Sequence, residues 1–149
     1  MTSEPTTPTE PPTDQLGGLD LLNFSQPSSI FDTMGMTIDR LEPGKVKFAV
    51  RADARHLNPM GGVHGGFAAT VLDSVTGCAL HTMLDAGVRF ATVDLAVKMV
   101  RPIPQDVTVR ADGWIKHLSR SLAVADGEIR DPEGQLLASG SATLFIKRP

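Results

Sequence analysis

From Gly65 to Asp85 the chain reads GGFAATVLDSVTGCALHTMLD, without a proline. Phe67, Val71, Leu72, Val75, Ala79 and Leu80 recur at spacings of three and four, the period of a helix. Asp73, His81 and Asp85 are the acid and base groups in this stretch, and the rest is small or apolar. A helix apolar on nearly every side has to be enclosed by protein. Whatever else this chain forms must therefore wrap around residues 65 to 85.

The flanking segments supply a wrapping sheet. MGMTIDRLEPGKVKFAVRA, from Met34, is two alternating segments separated by Glu42-Pro43-Gly44, the pattern of a hairpin. Four strand-like runs follow the helix, at about 89 to 101, 106 to 117, 120 to 130 and 136 to 147. Alternation is clearest at Val93, Leu95, Val97 and Met99, and Pro102, Pro104, the Leu118-Ser119 region and Asp131-Pro132-Glu133-Gly134 separate the runs. Short connections favour antiparallel pairing of successive strands. The expectation is an α+β domain, one sheet of about six antiparallel strands around one long helix.

A chain of 149 residues accommodates one such domain. The net charge of −3 offers no electrostatic footprint for nucleic acid. Cys78, the one cysteine, can make neither an internal disulfide nor a thiolate metal cage. Residues 1–16, MTSEPTTPTEPPTDQL, read as a disordered Pro/Thr-rich leader without the basic start and apolar run of a signal peptide, so residues 17–149 form the domain. No later window has the roughly 18 apolar residues of a membrane span, and a soluble cytoplasmic protein without membrane partners is expected. Between leader and hairpin, LDLLNF and SSIFDTM suggest two short helices, the second capped by Ser28 or Ser29.

The chemistry concentrates between His56 and Asp73, HLNPMGGVHGGFAATVLD. Asp53 to Gly66 contains a proline and four glycines and reads as an irregular loop. The glycine pairs let the backbone approach a ligand closely, and free N–H groups at a helix start stabilise developing negative charge. Gly65 is the candidate oxyanion donor. Asp73, a carboxylate amid Ala69, Thr70, Val71, Leu72 and Val75, must be partnered, neutralised or used. Otherwise it faces solvent on a narrow polar stripe that His81 could share. His64 is a candidate general base by its near-neutral titration, or a structural residue that holds the turn.

The run N-P-M-G-G-V-H-G-G, followed by L-D-S-V-T-G, resembles the PaaI-type thioesterases of the hot-dog superfamily over about residues 35 to 147. The similarity rests on Asn58, Gly62, His64, Gly65, Gly66 and Asp73. It implies that Asp73 attacks an acyl-CoA thioester or activates water, while Asn58 and Gly65 hold the carbonyl. It also implies that Thr92 binds the attacking water or orients the carboxylate, although a strand threonine is also ordinary β-propensity. Ser119, Arg120 and Ser121 resemble the junction that contacts the CoA arm, with Leu118 and Ser119 in place of the usual glycine. Arg101 before Pro102 resembles an arginine that reaches a CoA phosphate. Neither a metal nor a cofactor is implied, since CoA is part of the substrate.

Gly65 and Asp73 lie about 12 Å apart along a helix that rises about 1.5 Å per residue, so one chain cannot apply both to one carbonyl. Two subunits must share the site, in agreement with the dimers of the family. The expected assembly is a homodimer built into a homotetramer. Two other readings stay open at this stage, a hot-dog hydratase or dehydratase and a non-catalytic acyl-CoA-binding protein.

Overall fold

A computed structural model describes residues 29–149. The expected leader, the LDLLNF segment and Ser28 lie outside the described residues. The second helical piece is the single turn α1 (Ile30–Thr33), preceded by Ser29, whose side chain makes no capping bond. The hairpin forms as expected: β1 (Met36–Glu42) and β2 (Lys45–Arg51) pair antiparallel, and Gly44 at φ +75° makes the turn.

The long helix, α2, spans Gly65–His81 and buries ten of its seventeen residues. It ends four residues earlier than the apolar pattern suggests. Beyond His81 the bonds tighten to three-residue spacing, Met83 N–H to the Leu80 carbonyl and Leu84 N–H to the His81 carbonyl, so the segment up to Asp85 is turn. The segment before α2 is not wholly irregular either. Ala54–His56 form a 3-10 turn, and Gly65 and Gly66 are the first residues of α2.

Strands β3 (Arg89–Met99), β4 (Thr108–Leu118), β5 (Leu122–Arg130) and β6 (Leu136–Lys147) complete one six-stranded sheet in the order β1-β2-β4-β5-β6-β3. Every pairing is antiparallel. Successive strands are not all neighbours, however, because β3 lies on the far edge against β6 while β4 pairs with β2 and β5. The link at 100–107 is long enough for this. Extended chain covers about 3.3 Å per residue, whereas β3 and β4 are separated by three strand spacings of about 4.8 Å. This is the hot-dog architecture, with one sheet curled around one helix.

A row of glycines seats the helix. Gly113 of β4 faces Gly127 of β5, which faces Gly140 of β6, opposite Val97 of β3. An added Cβ would lie 2.5 Å from the Val75 carbonyl carbon at Gly113, 3.1 Å from Val75 Cγ2 at Gly127, and 3.3 Å from Leu72 Cδ1 at Gly140. The missing side chains let Leu72 and Val75, both fully buried, lie close against the sheet. Asp73, between them in sequence, is thereby turned away from the sheet centre. Gly113→Ala should lower stability by about 1–3 kcal/mol, because the clash is with backbone that cannot rotate aside. Urea unfolding measures it, and an unchanged midpoint would contradict this view of how α2 is seated.

Candidate active site

The loop before α2 is organised by acceptors on two side chains. Asn58 Oδ1 receives the N–H groups of Met60 at 3.0 Å and Gly62 at 3.2 Å. With the amide oxygen occupied in this way, the Asn58 NH₂ is the end available as a donor. His64 is the N-cap of α2, and its Nδ1 accepts the Gly66 N–H at 2.7 Å. A neutral imidazole that accepts at Nδ1 carries its proton on Nε2, so His64 presents a donor rather than a base. Phe67 N–H goes to the His64 carbonyl, and the Gly65 N–H, first in the helix, has no protein acceptor among the described residues.

Asn58, His64 and Gly65 line one cavity of about 370 Å³, together with Met99, Arg101, Pro102 and Ile103. Three donors and one guanidinium therefore surround a mostly apolar space at the positive end of α2. A ligand that suits it has an apolar body and an oxygen that gains negative charge.

Asp73 is elsewhere. It lines a second cavity of about 200 Å³ with Phe31, Gly77, Cys78, His81, Phe90 and Thr92, and its carboxylate is exposed in the single chain. The Thr92 hydroxyl donates to Asp73 Oδ1 at 2.9 Å, which fixes one oxygen and leaves Oδ2 for chemistry. Burial, and after it the nearby charge of Asp73, pushes the Cys78 thiol up to about 12. It stays protonated at neutral pH and is no nucleophile.

The sequence-derived candidates thus fall into separate groups. Asn58, His64, Gly65 and Arg101 share one cavity, while Asp73 and Thr92 share another. Ser119, Arg120 and Ser121 join neither. They form the β4–β5 turn, held by Ser119 N–H to the Leu122 carbonyl and Ile146 N–H to the Ser121 carbonyl. Arg101 N–H instead binds the Leu137 carbonyl at the other end of β6. Leu137 and Ile146 are about 30 Å apart at strand rise, so in one chain Arg101 and the turn do not meet. Phe67 is buried against His56 and Met60 is 91% exposed, so neither lines either cavity. Gly77 and His81, four and eight residues after Asp73, follow from helical spacing once Asp73 is singled out, whereas Cys78, five residues on, does not. Phe31 and Phe90 come from other elements, and no local sequence signal marks them.

The thioesterase superfamily model matches residues 60–138, which hold His64, Gly65, Asp73, Thr92 and Arg101, while Asn58 lies just before them. A candidate esterase of Caenorhabditis elegans is 34% identical over 92 residues, 60% of this chain, and the chain spans about half of that relative, 53%. Human acyl-coenzyme A thioesterase 13 is 26% identical over 114 residues, 74% of this chain and 79% of the relative. A phenylacetic acid degradation-related protein of Ralstonia eutropha JMP134 superposes with a TM-score of 0.77 at 26% identity, covering 86% of this chain and 98% of that one. Among the described residues no helix is long and apolar enough to cross a membrane. With the matched segment spanning more than half the chain and the fold agreeing, the protein belongs to the thioesterase superfamily, hot-dog hydrolases of thioester bonds.

Proposed function

We propose that the protein hydrolyses an acyl-CoA thioester to a free acid and CoA, at sites that two copies of the chain build together. One geometric fact carries this reading. Asp73 lies against Thr92, and Gly65 lies against the Met99 side chain, at opposite ends of the same edge strand β3. That strand has eleven residues and no proline, with Val93 and Met99 more than half exposed, so it is an edge well suited to pair with another chain. Antiparallel pairing of two β3 edges about a two-fold near Leu95 and Ala96 brings Thr92 of each copy towards the Met99 end of the other. Asp73 of one copy then faces Gly65 of its partner.

In that arrangement the Gly65 N–H, with the Asn58 amide and the His64 Nε2–H beside it, receives the thioester oxygen as it gains charge. Asp73 attacks the carbonyl carbon, the C–S bond breaks to release CoA thiolate, and water hydrolyses the resulting mixed anhydride; or Asp73 takes a proton from water that attacks the carbonyl and expels the same thiolate. The same pairing puts Arg101 at the end of the joined sheet where the partner's Ser119–Ser121 turn lies, so the long CoA arm can bridge them. The name of the human relative supports CoA thioesters as the substrate class. The His64 geometry favours hydrolysis over hydration, because the Nδ1 atom is occupied by Gly66.

A panel of short, medium and aryl CoA esters, followed by release of free thiol, tests the activity. Asp73→Asn should lower kcat by about 10²-fold or more with the fold intact, and near-native turnover would overturn the assignment. In single turnover in labelled water, label in the Asp73 side chain would exclude the general-base route, since only an anhydride opened at the aspartyl carbon places it there.

Gly65→Pro is the corresponding test of the donor. Proline is well accepted as the first residue of a helix, and His64 at φ −61° and ψ 138° already has the backbone that precedes a proline. The only close neighbour of an added Cβ is the flexible end of Met99. Circular dichroism should be unchanged while kcat falls by about 10²-fold through loss of one N–H. Retained kcat would exclude Gly65 as the oxyanion donor.

A further inference from the structure

His56 lies outside both cavities, yet its ring is almost enclosed, with 7% of the side chain exposed. Both ring nitrogens are engaged. Nδ1 accepts the Asp53 N–H at 2.9 Å, and Nε2 donates to the Thr33 carbonyl at 2.7 Å. One partner can only donate and the other can only accept, so the ring is the neutral Nε2–H tautomer. The acidic group facing the ring is Asp53, with Oδ1 3.4 Å from Nδ1, and the Arg55 guanidinium beside Asp53 holds that carboxyl down at about 2. The ring also packs on Phe67 in the first turn of α2, with centroids 4.8 Å apart.

The backbone of the same residue reaches the site. The His56 carbonyl accepts the His64 N–H at 2.8 Å, and the next residue, Leu57, bridges to Val63. These contacts close the base of the loop that carries Asn58 and ends at Gly65. Apart from them the loop is tied to itself through Asn58 and rests on the core through Val63.

We infer that His56 is a positioning residue for the thioester-hydrolysing site: anchored to Thr33 and Asp53 by its ring, it sets the place of the Asn58–Gly65 donor loop relative to the helix. It touches no substrate, and its effect passes through His64 and Gly65. The inference rests on the proposed oxyanion role of that loop. Donors act on the reacting oxygen only at close to ideal distance, so a shift of the loop by a fraction of an ångström weakens the transition state more than the bound substrate.

The test compares His56→Phe, which keeps a stacking ring and loses both ring bonds, with His56→Asn, which keeps an acceptor for the Asp53 N–H. Expected for His56→Phe is a fall in kcat of about tenfold or more, with KM and the Kd of a non-hydrolysable CoA thioether within about threefold of wild type. His56→Asn should recover part of that loss. Amide hydrogen exchange over residues 57–66 should accelerate in His56→Phe while exchange in β5 stays as in wild type. Unchanged kcat and unchanged exchange in folded His56→Phe would overturn the inference, as would a loss that only follows the unfolded fraction. The exchange readout does not depend on turnover. If Asp73→Asn proves active while exchange accelerates as expected, the reading of the reaction fails and the role of His56 in placing the loop stands.

Discussion

The close approach of α2 to the sheet is the constraint on which the other features depend. Three glycines in one row, Gly113, Gly127 and Gly140, take the place of side chains under Leu72 and Val75. The helix is apolar nearly all round because the sheet curls about it, and its depth is set where backbone meets backbone. This contact decides where Asp73 goes. With the residues on either side of it directed inward, the carboxylate emerges beside the edge strand, where Thr92 fixes one of its oxygens.

The donor group is set by a different device. Asn58 and His64 each use their acceptor atom on loop or helix backbone, which leaves their N–H groups, with that of Gly65, around a single cavity. The two halves of the proposed site are thus built separately, one by packing and the other by hydrogen bonding. The helix itself keeps them apart, since no rotation of side chains removes its axial rise of about 12 Å between Gly65 and Asp73. The edge β3, which runs past both, is where the proposed pairing of two chains would join them.

Much of this was legible in the residues. Apolar spacing located α2, alternation located the strands, and the glycine-rich run with a carboxylate one helix segment later marked both groups of the candidate site. What was not legible depends on distant contacts. The strand order was hidden because antiparallel alternation looks the same whichever strand lies alongside, and the 100–107 link carries β3 away from β4. The early end of α2 was hidden because residues 82–85 keep apolar spacing while their hydrogen bonds tighten. Phe31 and Phe90 reach the Asp73 cavity from a single turn and an edge strand, with no spacing to announce them. The ties made by His56 to Thr33 and Phe67 likewise join residues that only the fold brings together.

The claim that joins these parts is that each site takes its carboxylate from one chain and its oxyanion donor from the other. Co-expression of Asp73→Asn and Gly65→Pro chains with different tags allows the mixed dimer to be isolated, with one site intact and the other doubly defective. The account predicts that this mixed dimer regains about half of the wild-type activity although each parent dimer is nearly inactive. Activity no greater than that of the parents would contradict it.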